Sequence, residues 1–88
     1  MVLPIVHLNG TSRDDLVEQR LAIVDALRLV ANAIADGWPN DRDYYPQGQD
    51  AIQAARELWR GRLDTLDFMR QEIEDEARAI LDQEGDSA

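Results

Sequence analysis

Two short polar segments hold the residue types that most often bind ligands. The first is residues 7–12, His-Leu-Asn-Gly-Thr-Ser, and the second is residues 40–48, Asn-Asp-Arg-Asp-Tyr-Tyr-Pro-Gln-Gly. Each stands directly before a long stretch with helical periodicity, so each is predicted to lie at the start of a helix. Both use more specialised residues than a simple connector requires.

The second segment combines one guanidinium group with two phenol rings. Arg42 offers a planar fork of donors that suits phosphate or carboxylate, and Tyr44 and Tyr45 offer rings that can stack on a nucleobase. Arg and Tyr are also prominent at protein-recognition surfaces. A purely structural interpretation is equally open, in which one Tyr packs under the loop beside Trp38.

The first segment predicts a turn followed by a helix cap. Thr11 or Ser12 can cap the helix, with Asp14 or Asp15 three residues on in a capping-box arrangement. Successive backbone N–H groups at such a start also form a generic anion site, although the neighbouring carboxylates weaken it. Capping alone is the favoured interpretation. In the alternative, Asn9 and Thr11 of a neighbouring subunit orient the second segment or its ligand.

Three further residues are secondary binding candidates. His7 is the only histidine and has no Cys or second His with which to form a metal site, so we expect it to be packed and hydrogen-bonded. Arg56 and Arg60 are spaced i, i+4 and share one helix face. A solvated face paired with Glu57 and nearby Asp residues is the favoured interpretation of these two cations, with ligand contact as the alternative.

The sequence gives no sign of catalysis. Asp41 and Asp43 flank Arg42, and we expect them to pair with it rather than to bind a metal. No arrangement of Ser, His and Asp can be assembled that would activate a nucleophile. We therefore predict a protein that is not an enzyme and uses neither a metal nor a cofactor.

Composition limits the possible partners. The 88 residues are predicted to form one domain; they include 18 acidic residues against nine Arg, no Lys and no Cys, for a net charge of −9. Such a chain is repelled by the phosphate backbone of DNA or RNA. Neither a secretory signal nor an apolar run long enough for a membrane span is recognisable, so we expect a location in the cytoplasm.

The chain divides into an arm, two helices and the loop between them. The predicted single domain covers residues 1–83, with the boundaries arm 1–10, helix 12–36, loop 37–48 and helix 49–83. We expect the tail, 84–88, to be disordered.

Hydrophobic periodicity predicts an all-α fold, an antiparallel hairpin of two long helices with a short extended N-terminal arm. The first helix has an apolar face too wide for one partner helix, and the second repeats apolar residues every seven positions from Ile52 to Ile80. Gly61 interrupts this helix and predicts a close crossing or a bend. The second helix is longer by roughly 13 Å, and its overhang would carry Ile80 and Leu81. We expect the arm, a second subunit or both to cover them, and hence a homo-oligomer, a dimer or larger.

The order of these motifs resembles a family of short helical proteins encoded by phages and prophages. The resemblance rests on His-Leu-Asn-Gly-Thr-Ser at 7–12 and Arg-Asp-Tyr-Tyr-Pro-Gln-Gly at 42–48, and it covers most of the chain. It implies a bacteriophage protein that acts in the cytoplasm of the bacterial host. The family has no settled activity.

A more distant analogy adds a function. The chain is similar in size and hairpin character to small oligomeric phage proteins that sequester nucleotide-derived immune signals, but it departs from them in being acidic and in having no Lys. The leading hypothesis is therefore an anti-defence, nucleotide-binding viral protein whose site contains Arg42, Tyr44, Tyr45, Asn9 and Thr11. An acidic inhibitor or adaptor of a host protein is the competing function, and a virion accessory or assembly protein is the third.

Overall fold

The computed structural model describes residues 1–83, which are helical apart from an extended N-terminal arm and short connections. The elements are α1 (Arg13–Asp36), α2 (Asp41–Tyr44), a 3-10 turn (Tyr45–Gln47) and α3 (Gln49–Leu81). No strand occurs in this part of the chain, and no helix in it is both long enough and apolar enough to cross a membrane. The tail predicted to be disordered, 84–88, lies outside the described residues.

Side-chain caps set the start of the first long helix. The Ser12 hydroxyl accepts a hydrogen bond from the N–H of Asp15 at 3.1 Å, so Ser12 rather than Thr11 is the cap. Asp14 and Asp15 lie in the first turn, where the helix dipole favours negative charge. At the other end the N–H of Gly37 donates to the carbonyl of Ala33 at 3.1 Å and closes the last turn.

The segment predicted as a loop, 37–48, contains two short helical elements. Asn40 caps α2 by accepting the N–H of Asp43 on Oδ1 at 3.3 Å, and Pro46 lies within the 3-10 turn that follows. Gly48 then adopts φ +94° and ψ 173°, a backbone region open essentially only to glycine. This residue separates the turn from α3 and lets the chain reverse into the second long helix.

Contacts between α1 and α3 establish how the two helices align. Arg20 Nε lies 3.0 Å from Glu76 Oε2 near one end of the pair. Near the other end, the ring of Trp59 lies against Gly37, where an added Cβ would be 3.3 Å from Trp59 Cη2. Residue numbers on α3 therefore fall as those on α1 rise. The resulting rod measures 65 × 19 × 15 Å.

The N-terminal arm completes the best-packed part of the core. Its Val6 joins α1 and α3 in a buried cluster whose other members are Leu16, Val17, Ala77 and Ile80. The Gln83 side chain fastens the arm, since Oε1 accepts the N–H of Val6 at 3.0 Å and Nε2 donates to the carbonyl of Pro4 at 2.7 Å. Arg13 donates to the backbone carbonyl of Gln83.

The extra length of α3 lies at the opposite end from the one predicted. Ile80 is fully buried beside the arm, and the turns of α3 that extend beyond α1 are residues 49–58. Arg56 explains the difference, because it donates to the carbonyl of Pro39 at 3.4 Å and pairs with Asp41 at 3.6 Å. These contacts hold the connection between the long helices along the first turns of α3.

The middle of the rod is only partly covered. Val24 of α1 is buried, but Leu21, Ile23 and Val30 each remain 46% exposed. Of the close crossing or bend expected at Gly61, the close crossing is absent, since a Cβ there would meet nothing within 4 Å. Two helices alone thus leave part of the apolar face of α1 in contact with solvent.

Candidate functional site

The two polar segments lie at opposite ends of the rod. The turn at 7–11 stands beside the end of α3, whereas the segment 40–48 stands beside its start. The 24 residues of α1 separate them, a length of about 36 Å. Asn9 and Thr11 therefore cannot share a small-ligand site with Arg42 and Tyr45 of the same chain.

At the loop end, an aromatic ring and a guanidinium group are presented together. Tyr45 is 84% exposed. Together with Asp41 and Arg42 it lines a shallow depression of about 260 Å³. Tyr44 is half-buried, and it lines a neighbouring depression of about 240 Å³ together with Tyr45 and Ile52. Tyr45 is thus the more available of the two rings, while Tyr44 is partly engaged in packing.

The charge of Arg42 is not neutralised by its sequence neighbours. The expectation that Asp41 and Asp43 would pair with it is wrong, because Asp41 pairs with Arg56 instead. Within residues 1–83 the guanidinium of Arg42 forms no ion pair and no hydrogen bond. The helical turn of α2 carries the two side chains apart, so this cation is available for a phosphate or carboxylate from outside the chain.

Arg56 holds the loop in place. Its contacts with Pro39 and Asp41 assign it a structural role, and Glu57, the partner expected for it, is not used. Arg60 is exposed on the same helix. The expected pairing with a nearby Asp therefore holds for Arg56, through Asp41, whereas Arg60 forms no ion pair within residues 1–83.

Two tryptophans close this end of the rod. Trp38 packs edge-on against Trp59, with ring centroids 6.5 Å apart and planes at 70°. The guanidinium of Arg62 lies 5.2 Å from the centroid of Trp59, within reach of a cation–π interaction. Trp38 therefore packs on Trp59. The structural interpretation of the sequence had placed a tyrosine of the loop beside Trp38.

At the arm end, His7 is exposed rather than packed as expected, and its ring lies over Gly10. The N–H of Gly10 donates to the carbonyl of His7 at 3.2 Å, and a Cβ added at Gly10 would lie 2.7 Å from His7 Nε2. Asn9 and Thr11 are exposed on the same turn. The His7 ring borders a depression of about 350 Å³, whose lining also includes Leu8, Gly10, Ser12 and Asp14. The first polar segment thus combines a cap with an open polar turn.

A larger groove lies in the middle of the rod, where the sequence indicated no site. It measures about 560 Å³ and is lined by Leu27, Arg28, Ala31, Leu63, Asp64, Leu66, Asp67 and Arg70. Arg70 donates hydrogen bonds to Asp67 at 2.7 Å and to Glu74 at 2.9 Å, and these bonds raise the pKa of Arg70 above its ordinary value. Arg28 is paired with Asp25 and Glu74. Both cations of the groove are therefore engaged, which makes it a weaker anion site than the loop end.

Within residues 1–83 no cluster of three or more His, Cys, Asp or Glu side chains is arranged to hold a metal ion. Comparison with protein-family models, with curated proteins and with solved structures finds no significant match to this chain.

Proposed function

We propose that the chain is an antiparallel helical hairpin that assembles as a homo-oligomer and, without catalysis, sequesters a nucleotide-derived signalling molecule. The setting would be that of a bacteriophage anti-defence protein in the cytoplasm of its bacterial host. One observation carries the proposal: Arg42, whose charge is unpaired among residues 1–83, borders the same depression as the highly exposed ring of Tyr45.

These two side chains match the two parts of a nucleotide. In the proposed complex the Arg42 guanidinium binds phosphate through its forked donors, and the Tyr45 ring stacks on the base. Tyr44 borders the site from its half-buried position. The overall negative charge repels long phosphate chains, so a compact ligand with few phosphates suits the site better than a nucleic acid.

The size of the depression supports the oligomer. Small-molecule sites usually have volumes of about 300–1,000 Å³ and bury about 70–90% of the ligand surface. The depression beside Tyr45 is smaller, at about 260 Å³. A neighbouring subunit would supply the missing wall, and the exposed turn with Asn9 and Thr11 is the candidate for it.

Titration calorimetry with cyclic dinucleotides, cyclic trinucleotides and ADP-ribose derivatives tests the proposal. We expect one class to bind the wild type. Loss of a stacked ring is worth about 1–3 kcal/mol, so Tyr45→Ala should weaken binding about 5- to 150-fold. Arg42→Ala should weaken it as well.

Matched controls come from the middle of the rod. Phe68→Ala removes a ring that is 70% exposed, and Arg28→Ala removes an exposed cation; both variants should bind as the wild type does. No binding to the wild type below about 1 mM, a free energy of only about −4 kcal/mol, would refute the nucleotide proposal. Binding of the ligand with wild-type affinity by both Arg42→Ala and Tyr45→Ala would mean that the site lies elsewhere on the molecule.

The acidic run at 72–76 gives weaker support to a function as a protein inhibitor. Glu76 pairs with Arg20, Glu74 pairs with Arg28 and Arg70, and Asp75 pairs with Arg78, so three of its four carboxylates are engaged within the chain. Docking on a basic host protein becomes the leading function only if the wild type binds no nucleotide.

A further inference from the structure

The outer flank of α1 carries a second row of apolar residues. The row that faces α3 consists of Leu16, Val24, Leu27, Ala31 and Ile34. Ile23, Ala26, Val30 and Ala33 recur at spacings of 3, 4 and 3, about 100° around the helix from that row. Ile23 and Val30 are the half-covered residues of α1 noted above, and both alanines are exposed.

A mixed row, in which two apolar residues flank an Arg and a Thr, runs along α3. The residues facing α1 repeat every seven positions and are Ile52, Trp59, Leu66, Ile73 and Ile80. Leu58, Arg62, Thr65 and Met69 recur at spacings of 4, 3 and 4, about 80° around the helix from them. Leu58 is 58% exposed and Met69 is 41% exposed.

The two flanking rows lie on the same side of the rod. On each helix, the flanking row is rotated in the same sense from the row that faces the other helix, as seen along that helix from its N-terminus. Because the two helices run in opposite directions, rotations in the same sense point to the same side of the rod. Arg28 and Glu74 are rotated in the opposite sense from the facing rows of their helices. They therefore lie on the opposite side of the rod, where they pair at 3.8 Å.

The rod therefore has two chemically distinct sides. We call the first the apolar side, defined by Ile23, Ala26, Val30, Leu58 and Met69. The second is the ion-paired side, whose members are Asp25, Arg28, Asp67, Arg70 and Glu74. Small and apolar residues at three- and four-residue spacing are typical of surfaces on which a further helix packs.

We propose that the apolar side binds the apolar side of a second copy across a two-fold axis perpendicular to the rod, so that the two rods lie antiparallel in a four-helix assembly. A two-fold interface joins the same patch on both subunits, which a row of small and apolar residues permits. The rod extents of 65 and 19 Å bound the whole side at about 1,200 Å², which is room for the roughly 800 Å² per partner of a standard interface; the flanking rows form its central part.

Charge distribution favours the antiparallel orientation. The arm half, residues 1–31 and 65–83, has five Arg and ten acidic residues, a net charge of −5. The loop half, residues 32–64, has four Arg and six acidic residues, a net charge of −2. A parallel pair would place the two more negative halves side by side, whereas an antiparallel pair places each beside the less negative half of its partner.

This orientation also brings the two polar ends of different subunits to the same level. A half-turn about the middle of the rod places the arm end of one subunit, with Asn9 and Thr11, level with the loop end of the other, which carries Arg42 and Tyr45. Their role in holding a ligand rests on the proposed function, but the dimer itself rests on the apolar side alone.

Analytical ultracentrifugation of charged variants tests the interface. Val30→Asp should convert a wild-type dimer to a monomer at micromolar concentration. Ala26→Glu should do the same, and because Ala26 is exposed and outside the core, this variant should keep the helical circular dichroism of the wild type. Leu29→Asp is the matched control, since Leu29 is 70% exposed but lies on the edge of α1 that faces away from α3.

Each result has a defined meaning. Monomeric Ala26→Glu and dimeric Leu29→Asp support the apolar side as the interface. A monomeric wild type, or a dimer that survives Ala26→Glu, overturns the proposal. Dissociation by Leu29→Asp alone would place the interface on the outer edge of α1 and would also overturn it.

Spin labels determine the orientation, because the chain contains no native Cys. A nitroxide on Gln47→Cys should give an intersubunit distance of about 50 Å, the length of a helix of 33 residues. A short distance between the two labels would mean a parallel pair and would refute the shared site.

Ligand titration then separates the two proposals. An antiparallel dimer that binds no nucleotide refutes the proposed function and keeps the dimer. Nucleotide binding that is equally tight in monomeric Ala26→Glu keeps the function and refutes the site shared between subunits.

Discussion

Replacing Ile80 with alanine tests whether the N-terminal arm is part of the core. Ile80 is fully buried and packs in the cluster that joins the arm to both long helices. The substitution deletes three carbon atoms at a site enclosed by Val6, Leu16, Val17 and Ala77. Because three separate segments converge there, the space cannot be refilled by a shift of one side chain.

The expected loss of stability is large for a domain of this size. Ile→Ala substitutions at buried positions cost about 2–5 kcal/mol. In a domain of 60–100 residues each kcal/mol lowers Tm by about 4–8 °C, so a loss of 3 kcal/mol corresponds to a fall of about 12–24 °C. The same change should speed hydrogen exchange at the N–H of Val6, which is bonded to Gln83 Oε1.

Leu81→Ala is the control, and both variants should be compared by thermal melts followed by circular dichroism at equal protein concentration. Leu81 is the next residue on α3 and is 51% exposed, so its truncation should cost about 1 kcal/mol or less. Equal melting temperatures for the two variants, or an unchanged exchange rate at Val6, would refute the docking of the arm.

Two further substitutions have opposite expected effects, and a third tests the loop. Gly48→Ala should destabilise the protein by about 1–3 kcal/mol, because φ +94° with ψ 173° strains any side chain. Gly61→Ala should stabilise it by about 0.5–1 kcal/mol, because Gly61 lies in mid-helix with open space around its Cβ position; urea melts that show the same sign for both would contradict the backbone argument. Arg56→Ala should cost about 1 kcal/mol or less yet speed amide exchange at Asp43 in α2, since it removes the contacts with Pro39 and Asp41. Exposed Arg60 supplies the control Arg60→Ala, and exchange in α2 that is alike in both variants would show that Arg56 does not hold the loop.

Helical periodicity predicted the all-α architecture because the apolar spacing of each long helix depends only on local geometry. The alignment of the helices depends on contacts between distant residues. The predicted overhang at Ile80 was wrong for this reason, because the fastening of the connection by Arg56 shifts the extra length of α3 to the other end. The expectation that the arm covers Ile80 is confirmed.

The candidate site was predictable in residue type but not in arrangement. The sequence singled out Arg42 and Tyr45, and the structure places both on one depression. The sequence indicated that one Tyr could pack under the loop but not that it would be Tyr44, and it gave no sign that Asp41 would turn toward Arg56, because a helical turn across residues 41–44 determines both. The shared site, the nucleotide ligand and the phage setting stay predictions.

The Trp38–Trp59 pair makes the loop end optically distinct from the rest of the molecule. These are the only two tryptophans in the chain, and their rings are in edge contact at one end of the rod. Intrinsic fluorescence and near-ultraviolet circular dichroism therefore report on the end that holds Arg42 and Tyr45 and are silent about the arm end. A label-free titration can thus follow events at one end of the rod while far-ultraviolet ellipticity follows its whole length.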